Sequence, residues 1–251
     1  MQQPSKLSNG GSSPSGEAKR ITMKALIDAD SLLYRVGFAA EDSHVNIAKA
    51  RLDETLEMLI FQELEKCDEY QCFTSGSENF RNEVAVTVPY KGNRENMKRP
   101  KHLKALKDHI VKKWKATVSE GKEADDDVCI AAYAEPYSII AHIDKDLDQI
   151  PGSHYNYVKK QFYNVGKFEG LKNLYKQALV GDVADNIKGI KGIGKVKADK
   201  ILKECFTEKD LYDTVLSCYN NSMTNGEERL HENMNLLYLL RSNDDRWEKP
   251  K

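Results

Sequence analysis

Acidic residues cluster in the middle of the chain in a pattern that suits metal binding. One cluster lies within residues 122–127 and a second follows the apolar run 138–143; together they comprise Glu123, Asp125, Asp126, Asp127, Asp144, Asp146 and Asp148. Carboxylates this close together repel one another unless a cation neutralises them. Ligand sets made of oxygen atoms suit magnesium or manganese. The spacing therefore predicts a site for divalent metal ions.

Short apolar runs are placed to bring these acids together. Residues 23–27 read as a buried strand that ends at Asp28, and residues 138–143 read as a strand that ends at Asp144. Residues 69–74 read as another strand. In an open α/β sheet, ligands bind outside the carboxyl ends of the strands. A helix that starts with acids also suits its own dipole, but that explanation covers the first cluster and not Asp144 or Asp146.

The segment 89–115 is strongly basic. It contains ten Lys and Arg residues against Glu95 and Asp108. A solvated helix face is one interpretation, and an arch that binds phosphates is the other. Tyr90 beside Lys91 and Arg94 favours the arch, because nucleic-acid sites combine cations with aromatic rings. Pro100 predicts a loop followed by a helix.

A glycine-rich turn lies within residues 179–202. Asp182 and Asp185 are close enough in sequence to share one site. Glycines then recur at 189, 192 and 194, and two lysines follow; the residues concerned are Gly189, Gly192, Gly194, Lys195 and Lys197. Such a turn between two helices is typical of a helix–hairpin–helix, which holds a nucleic-acid backbone without reading bases. An ordinary glycine-rich turn is the alternative. The order of the glycines excludes a dinucleotide-binding loop.

The remaining patterns outline the domain organisation. Residues 1–20 are polar and rich in Ser, Gly and Pro, so we expect a disordered leader or tag. Residues 21–178, including the basic segment, form the predicted α/β core, and residues 179–251 form a helical DNA-binding region. We predict a helix over 45–66, an extended run at 84–88, a strand pair or loop at 154–168 and a helix over 231–241.

Composition sets broad limits. The chain has 251 residues, 40% of them hydrophobic, and a formal net charge of −1, so a real core can form and no binding partner is excluded. Its five cysteines lack metal-binding spacing and predict reduced thiols in the cytoplasm. We see no apolar window long enough for a membrane and no signal-peptide core. We also see no stripe for dimerisation and expect a monomer.

Several motifs, in the family order, resemble the 5′-nuclease family over residues 24–205. That family includes flap endonucleases, the 5′-nuclease domain of bacterial DNA polymerase I and standalone phage exonucleases. LIDADSLLYR is similar to its first-strand motif, PYKGNR to the motif before its helical arch, EADD and DKD to its central acids, GDVADN to a later acid pair, and GIKGIGKVKADKIL to its DNA-binding helical motif. The resemblance implies a mainly parallel twisted sheet flanked by helices.

The resemblance also implies roles for individual residues. Lys91 and Arg94 match the basic pair that contacts the scissile phosphate. The expected metal ligands are Asp28, Glu123, Asp125, Asp126, Asp144, Asp146, Asp182 and Asp185. The expected DNA-binding residues are Arg35, Tyr90 (as a stacking ring), Lys98, Arg99, Gly189, Gly192, Gly194, Lys195 and Lys197. Asp127 and Asp148 fall outside the family pattern.

The activity implied is metal-dependent 5′→3′ exonuclease and flap endonuclease cleavage of DNA. Two or more Mg²⁺ ions are expected, with Mn²⁺ as a substitute, and a K⁺ ion at the turn 189–194. Expected substrates are duplexes with a 5′ end, nick or flap, and an RNA primer on DNA. FTSGSENFRNEV and the closing LLYLLR stretch are similar to phage exonucleases, which implies the cytoplasm of an infected bacterium.

One departure from the family pattern keeps alternatives open. The second strand of that family ends in an aspartate, whereas this chain has Thr74 and Ser75 there. A DNA-binding protein with a weakened metal site is therefore one alternative. A PIN-like ribonuclease is another, although the glycine-rich turn argues against it. A magnesium-dependent phosphatase of small molecules is a third alternative, but it would not explain the basic segment or the glycine-rich turn.

Overall fold

Apolar runs of the sequence form the strands of a six-stranded central sheet. The computed structural model describes residues 22–251, so the predicted leader at 1–20 lies outside the described residues. The strands are β1 Lys24–Asp28, β2 Glu69–Ser75, β3 Thr117–Ser119, β4 Ser138–His142, β5 Gly152–Asn156 and β6 Gln161–Val165. Their order is β3-β2-β1-β4-β5-β6, and all neighbours are parallel except β5 and β6. For residues 154–168 the sequence predicted a strand pair or a loop, and the structure has the antiparallel pair β5–β6.

The described part of the chain contains nine α-helices. They are α1 Ala29–Ala39, α2 Val45–Met58, α3 Arg81–Val84, α4 Leu103–Trp114, α5 Ala124–Ala134, α6 Lys167–Val180, α7 Lys195–Ile201, α8 Glu208–Ser222 and α9 Gly226–Leu237. Helix α2 continues into a π turn at Leu59–Glu63, and 3-10 turns occupy Gly92–Arg94 and Lys145–Gln149. A two-stranded ladder joins β7 Gly181–Asp182 to β8 Ile187–Lys188. None of the helices between residues 22 and 251 is long and apolar enough to cross a membrane.

Both faces of the sheet are covered. Ala25 and Ile27 of β1 pack with α1, α2 and α4 on one face, while Leu26 packs with α5 on the other. This alternation follows from the two-residue period of a strand and explains why β1 reads as a continuous apolar run. The strand order reverses between β1 and β4, so their carboxyl ends border a crevice of the kind that binds ligands.

A second apolar core joins α6, α7, α8 and α9. Leu179, Tyr219 and Met234 are buried at its centre, and Trp247 packs against it from the C-terminal segment. Tyr90, from the basic segment, belongs to this core. The helical part of the basic segment is α4, which packs on the sheet rather than standing away from it, because Leu106, Ile110 and Trp114 are buried together on one of its faces.

Two secondary-structure predictions were wrong in detail. The run 84–88 was predicted to be extended, but Val84 ends α3, and the amides of Val86 and Thr87 donate to Glu232 Oε1 at 2.9 and 2.8 Å instead of joining a sheet. The helix predicted over 231–241 is α9, which ends at Leu237. The backbone is extended at Tyr238, and the carbonyl of Tyr238 and the amide of Leu240 bond to the buried ion pair described next.

A buried ion pair connects α3, α5 and the C-terminal segment. Arg81 and Asp126 are 2% and 0% exposed, and the guanidinium donates to both carboxylate oxygens at 2.6 and 2.9 Å. Arg81 also donates to the carbonyls of Leu236 and Tyr238, each at 2.8 Å. Asp126 accepts from the amide of Leu240 at 3.1 Å. Removing one partner of such a pair leaves an uncompensated buried charge.

We therefore predict that Arg81→Met lowers the free energy of unfolding by about 3–5 kcal/mol, because Asp126 loses its counter-ion in a dry site. Urea unfolding followed by circular dichroism measures the change. The matched control is Lys209→Met, which breaks the exposed pair with Asp213 and should cost no more than about 0.5 kcal/mol. Equal urea midpoints for the Arg81 variant and the unaltered protein would contradict the prediction.

Candidate metal centre

Three carboxylates converge at the crevice between β1 and β4. Asp28 ends β1, Asp144 follows β4, and Asp125 lies in the first turn of α5. Asp28 and Asp144 are positioned in the same way: each accepts the backbone N–H two residues later, at 3.1 and 3.0 Å, and so caps the helical turn that follows its strand. Asp28 and Asp144 thus lie at the strand ends where the apolar runs of the sequence predicted them, and their role as metal ligands stays a prediction.

The charges of this group are not balanced by a nearby cation. Burial, followed by the charges of Asp30 and Asp144, raises the pKa of Asp28 to about 7. Loss of hydration, followed by the charges of Asp28 and Asp144, raises the pKa of Asp125 well above its ordinary value. Among residues 22–251, no Lys or Arg forms a salt bridge with Asp28, Asp125 or Asp144. The centre of the crevice therefore favours binding of a cation, or of protons when no cation is present.

A second group of acids surrounds Lys145. The ammonium of Lys145 contacts Asp182 and lies 3.1 Å from Asp146 Oδ1. Burial acts to raise the pKa of Asp182, but Lys145 and two backbone N–H groups outweigh it, so the pKa is lowered. Burial and the charge of Asp144 raise the pKa of Asp146 to about 7. Lys145 thus neutralises part of the charge on this side of the crevice.

A third group joins the basic segment to the acids. The hydroxyl of Tyr90 lies 2.9 Å from Glu123 Oε2 and 2.8 Å from Asp185 Oδ2. Lys91, in a left-handed conformation with φ 53°, contacts Glu123, and Arg94 donates to Asp185 at 2.6 Å. The structure does not present Tyr90 as an exposed stacking ring, because its side chain is only 8% exposed and packs in the helical core.

The other acids of α5 point elsewhere. Consecutive helical residues are about 100° apart around the axis, so Asp125 and Asp126 cannot face the same site. Asp126 faces Arg81, and both of its oxygens accept hydrogen bonds there. Asp127 lies 3.3 Å from Lys122. The structure therefore does not bring Asp126 into the metal centre expected from the sequence.

Asp30 lies at a position that sequence reasoning missed. Its carboxylate accepts from Thr74 Oγ1 at 2.6 Å and from the amide of Ser75 at 3.1 Å, so a carboxylate from α1 stands at the end of β2, where the strand itself has none. Ser75 Oγ accepts from the first amide of α5, that of Ala124, at 3.0 Å. The only signal for Asp30 was its spacing of two residues from Asp28.

Most of the charged residues predicted to bind DNA are exposed. Arg35 is exposed on α1, Arg99 is exposed in the segment before α4, and Lys98 pairs with Glu41 at 2.8 Å. The turn 189–194 connects β8 to α7, with Lys195 and Lys197 exposed at the start of that helix.

The glycines of this turn have different environments. A side chain at Gly189 would clash with the backbone of Val180 at 2.3 Å, so this glycine allows the turn to pack against the end of α6. Gly192 has φ +82°, which favours glycine, and space for a side chain is open there and at Gly194. The exposed residues of the turn are Lys191, Gly192 and Gly194, whereas Ile193 is partly buried against the helical core.

No family model and no curated protein matches this chain. Several solved structures do match this chain. T5 5′-exonuclease with bound zinc ions is 19% identical, with 86% of this chain and 89% of that chain covered and a TM-score of 0.63. A bacteriophage T5 flap endonuclease complex with DNA and metal ions is 18% identical, with coverages of 86% and 88% and a TM-score of 0.61. The catalytic core of Rad2 in complex with DNA substrate is 13% identical, with coverages of 83% and 67% and a TM-score of 0.53.

At these identities the likeness establishes the fold. The chain has the mainly parallel central sheet with flanking helices that these nuclease structures share, as the sequence predicted.

We predict that Asp28→Asn stabilises the protein in EDTA, and more so at high pH. The pKa of Asp28 is about 7 in the folded state and ordinarily 3.8, so between these values the folded state holds more protons and its stability falls as pH rises. The variant lacks this penalty. Its melting temperature should exceed that of the unaltered protein by at least about 2 °C at pH 8, and the difference should shrink towards pH 5.

The matched control for this experiment is Asp127→Asn, whose carboxylate lies beside Lys122. It should show no gain at pH 8. A difference between Asp28→Asn and the unaltered protein that does not change with pH would rule out the electrostatic explanation.

Proposed function

We propose that this protein is a metal-dependent, structure-specific nuclease that cleaves DNA at or near 5′ ends, as a 5′→3′ exonuclease and flap endonuclease. The observation that carries the proposal is the group of Asp28, Asp125 and Asp144, three carboxylates gathered at one crevice without a cation partner among residues 22–251, where burial and neighbouring acids raise the pKa of Asp28 and of Asp125. Proteins with the same fold, among them a T5 5′-exonuclease and a T5 flap endonuclease, bind metal ions or DNA, which supports this assignment.

The donors in the crevice fit Mg²⁺. They are carboxylate oxygens with excess negative charge, which magnesium prefers and for which manganese can substitute. In our proposal Asp28, Glu123, Asp125 and Asp144 hold one ion, and Asp146, Asp182 and Asp185 serve a second; Asp126 has a structural role instead. When bound, such ions activate water and neutralise charge on the phosphoryl oxygens.

Lys91 and Arg94 supply positive charge at the scissile phosphate in this proposal. Both lie at the rim of the crevice and are held there by Glu123 and Asp185. Fixed cations stabilise a transition state most when they need not reorganise. Tyr90 acts as a positioning residue, because its buried ring anchors the segment and its hydroxyl links the same two carboxylates.

The DNA backbone would run from the crevice towards the turn 189–194. A cavity of ≈ 190 Å³ lies along this path, and its lining includes Lys145, Lys176 and Lys195. Contacts to phosphates position a duplex without reading its sequence, so we expect no sequence preference. The K⁺ site expected at the turn, cleavage of an RNA primer annealed to DNA and action as a monomer remain predictions from the family resemblance.

The first test compares Asp125→Asn with Asp127→Asn on a 5′-labelled flap duplex in Mg²⁺. Asp125 faces the crevice and its neighbour Asp127 faces Lys122. We expect Asp125→Asn to slow cleavage by at least about 100-fold, the usual loss when one preorganised electrostatic group is removed, and Asp127→Asn to cleave normally. EDTA should abolish cleavage by every form of the protein.

Other outcomes of this test favour the alternatives. Binding of the duplex without cleavage in any divalent metal would indicate a DNA-binding protein. Faster cleavage of single-stranded RNA than of duplex DNA would indicate a PIN-like ribonuclease. Equal loss in both Asp variants would contradict the placement of the metal centre.

A second test addresses the turn 189–194. We expect Lys195→Gln combined with Lys197→Gln to weaken duplex binding and to reduce the slope of log K against log salt by about 2, because each lysine that leaves a phosphate releases about one fewer counterion. Fluorescence anisotropy in Ca²⁺ measures the slope. The control pair, Lys203→Gln with Lys209→Gln, removes exposed lysines paired with Glu204 and Asp213 and should leave it unchanged. An unchanged slope in the first double variant would exclude the turn from the interface.

A further inference from the structure

Two histidines meet beneath the metal centre, on adjacent strands. His142 ends β4 and His154 lies in β5, with exposures of 1% and 0%. Tyr163 of β6 is paired with His154, and their rings stack with centroids 5.2 Å apart. Asp148, from the 3-10 turn after β4, completes the group and is 32% exposed. None of these residues has a role in the proposed nuclease reaction.

The hydrogen bonds of the two rings fix where their protons lie. His142 Nδ1 is 2.6 Å from the carbonyl oxygen of Asp144, and His154 Nε2 is 2.8 Å from that of Ile150. A carbonyl only accepts, so both of these nitrogens carry hydrogen. In neutral rings, His142 Nε2 and His154 Nδ1 therefore direct lone pairs at each other across 2.8 Å. That contact is repulsive unless a positive charge lies between them.

The carboxylate of Asp148 is a third acceptor near the contact between His142 Nε2 and His154 Nδ1. Asp148 Oδ1 is 3.9 Å from His142 Nε2, and one ligand atom from each of His142, Asp148 and His154 lies within 4.8 Å of the others. The Tyr163 hydroxyl, 2.7 Å from Asp148 Oδ1 and 3.1 Å from His142 Nε2, has a single hydrogen to share among them. Three lone pairs thus converge on a space that this one hydrogen cannot satisfy.

We propose that His142, His154 and Asp148 bind a Zn²⁺ ion, with the Tyr163 hydroxyl or a water as fourth ligand. Imidazole nitrogens select zinc and its neighbours over magnesium. Histidines that bind metals characteristically donate their other ring N–H to a carbonyl or carboxylate, as both rings do here. The site thus differs from the all-oxygen crevice in the metal it prefers.

Small movements suffice for binding. Zn–N bonds of about 2.0–2.1 Å in a tetrahedral site place two nitrogens about 3.4 Å apart, so the two rings must separate by about 0.6 Å. The carboxylate of Asp148 must approach His142 by about 0.5 Å, and it lies on a partly exposed turn. Zinc can enter from that side.

A proton shared by the two histidines is the competing explanation. Burial, together with the charge of His154, lowers the pKa of His142 to about 4, and burial lowers the pKa of His154 as well. Burial thus disfavours a charged ring, and the metal site itself rests on the geometry of the four side chains.

The proposed ion has a structural role. His142 holds the carbonyl of Asp144, and Asp148 lies in the turn Lys145–Gln149 that also carries Asp146. Zinc would tie this turn to β4 and β5 and so fix two carboxylates of the neighbouring crevice. Its presence can be tested without DNA and without any measurement of cleavage.

The test titrates Co²⁺, as a spectroscopic substitute for Zn²⁺, into the full chain stripped with EDTA and held in excess Mg²⁺. We expect one equivalent to develop the intense visible bands of four-coordinate cobalt, and Zn²⁺ to displace it. Asp148→Asn keeps the shape of the side chain and should weaken Co²⁺ binding by at least about 10-fold. His154→Asn should abolish it.

Asp125→Asn is the matched control, because it alters the oxygen-lined crevice and should keep the full cobalt spectrum. Circular dichroism checks that each variant is folded, and Asp148→Asn, on a partly exposed turn, keeps the test decisive if His154→Asn does not fold. The proposal is overturned if the unaltered protein shows no four-coordinate cobalt, or if Asp148→Asn binds Co²⁺ as tightly as the unaltered protein does. Either result would favour the shared proton.

Discussion

Repulsion among carboxylates is the constraint on which the arrangement of this molecule depends. The ends of β1 and β4 and the start of α5 hold Asp28, Asp144 and Asp125 close enough to raise the pKa of two of them. Flexible segments would separate such charges. Here the strands are covered on both faces by apolar helices, so the acids stay together and the apolar cores compensate for their repulsion.

The cations nearby are distributed unevenly. Lys145 lies against Asp146 and Asp182, and Lys91 and Arg94 lie against Glu123 and Asp185. These acids occupy the two sides of the crevice, whereas the central group has no such partner within residues 22–251. The result is a site whose rim is neutralised by lysine and arginine and whose middle holds carboxyl groups without a counter-ion. Charge arranged in this way favours a small, doubly charged ion over a lysine side chain.

The sequence predicted those features of the site that depend on residues close together in the chain. Asp28 and Asp144 were found because a strand end is visible as an apolar run followed by an acid. Asp125 and Asp126 were not distinguished, because their directions depend on where α5 begins and on Arg81, which lies 45 residues from Asp126 in the chain. Tyr90 was assigned as a stacking ring, since nothing in PYKGNR reveals that the ring packs against the distant helices α6 to α9.

Contacts between distant residues explain the remaining differences. Asp30 stands at the end of β2 because of hydrogen bonds to Thr74 and Ser75, 44 and 45 residues away. The histidine pair depends on the register of β4 against β5, in which Ile140 is the direct neighbour of His154. Neither arrangement can be read from spacing along the chain. Both become apparent only when the sheet order is known.

The buried ion pair of Arg81 and Asp126 also affects the order in which the protein folds during synthesis. Its guanidinium bonds to the carbonyls of Leu236 and Tyr238, which lie 155 and 157 residues further along the chain. Asp126 accepts a hydrogen bond from the amide of Leu240. Contacts this far apart form late, because closing long loops is slow. During synthesis on the ribosome, α5 cannot complete its buried contacts until Leu240 has emerged. The acids at the start of that helix are therefore locked into place only when nearly all of the described chain has been translated.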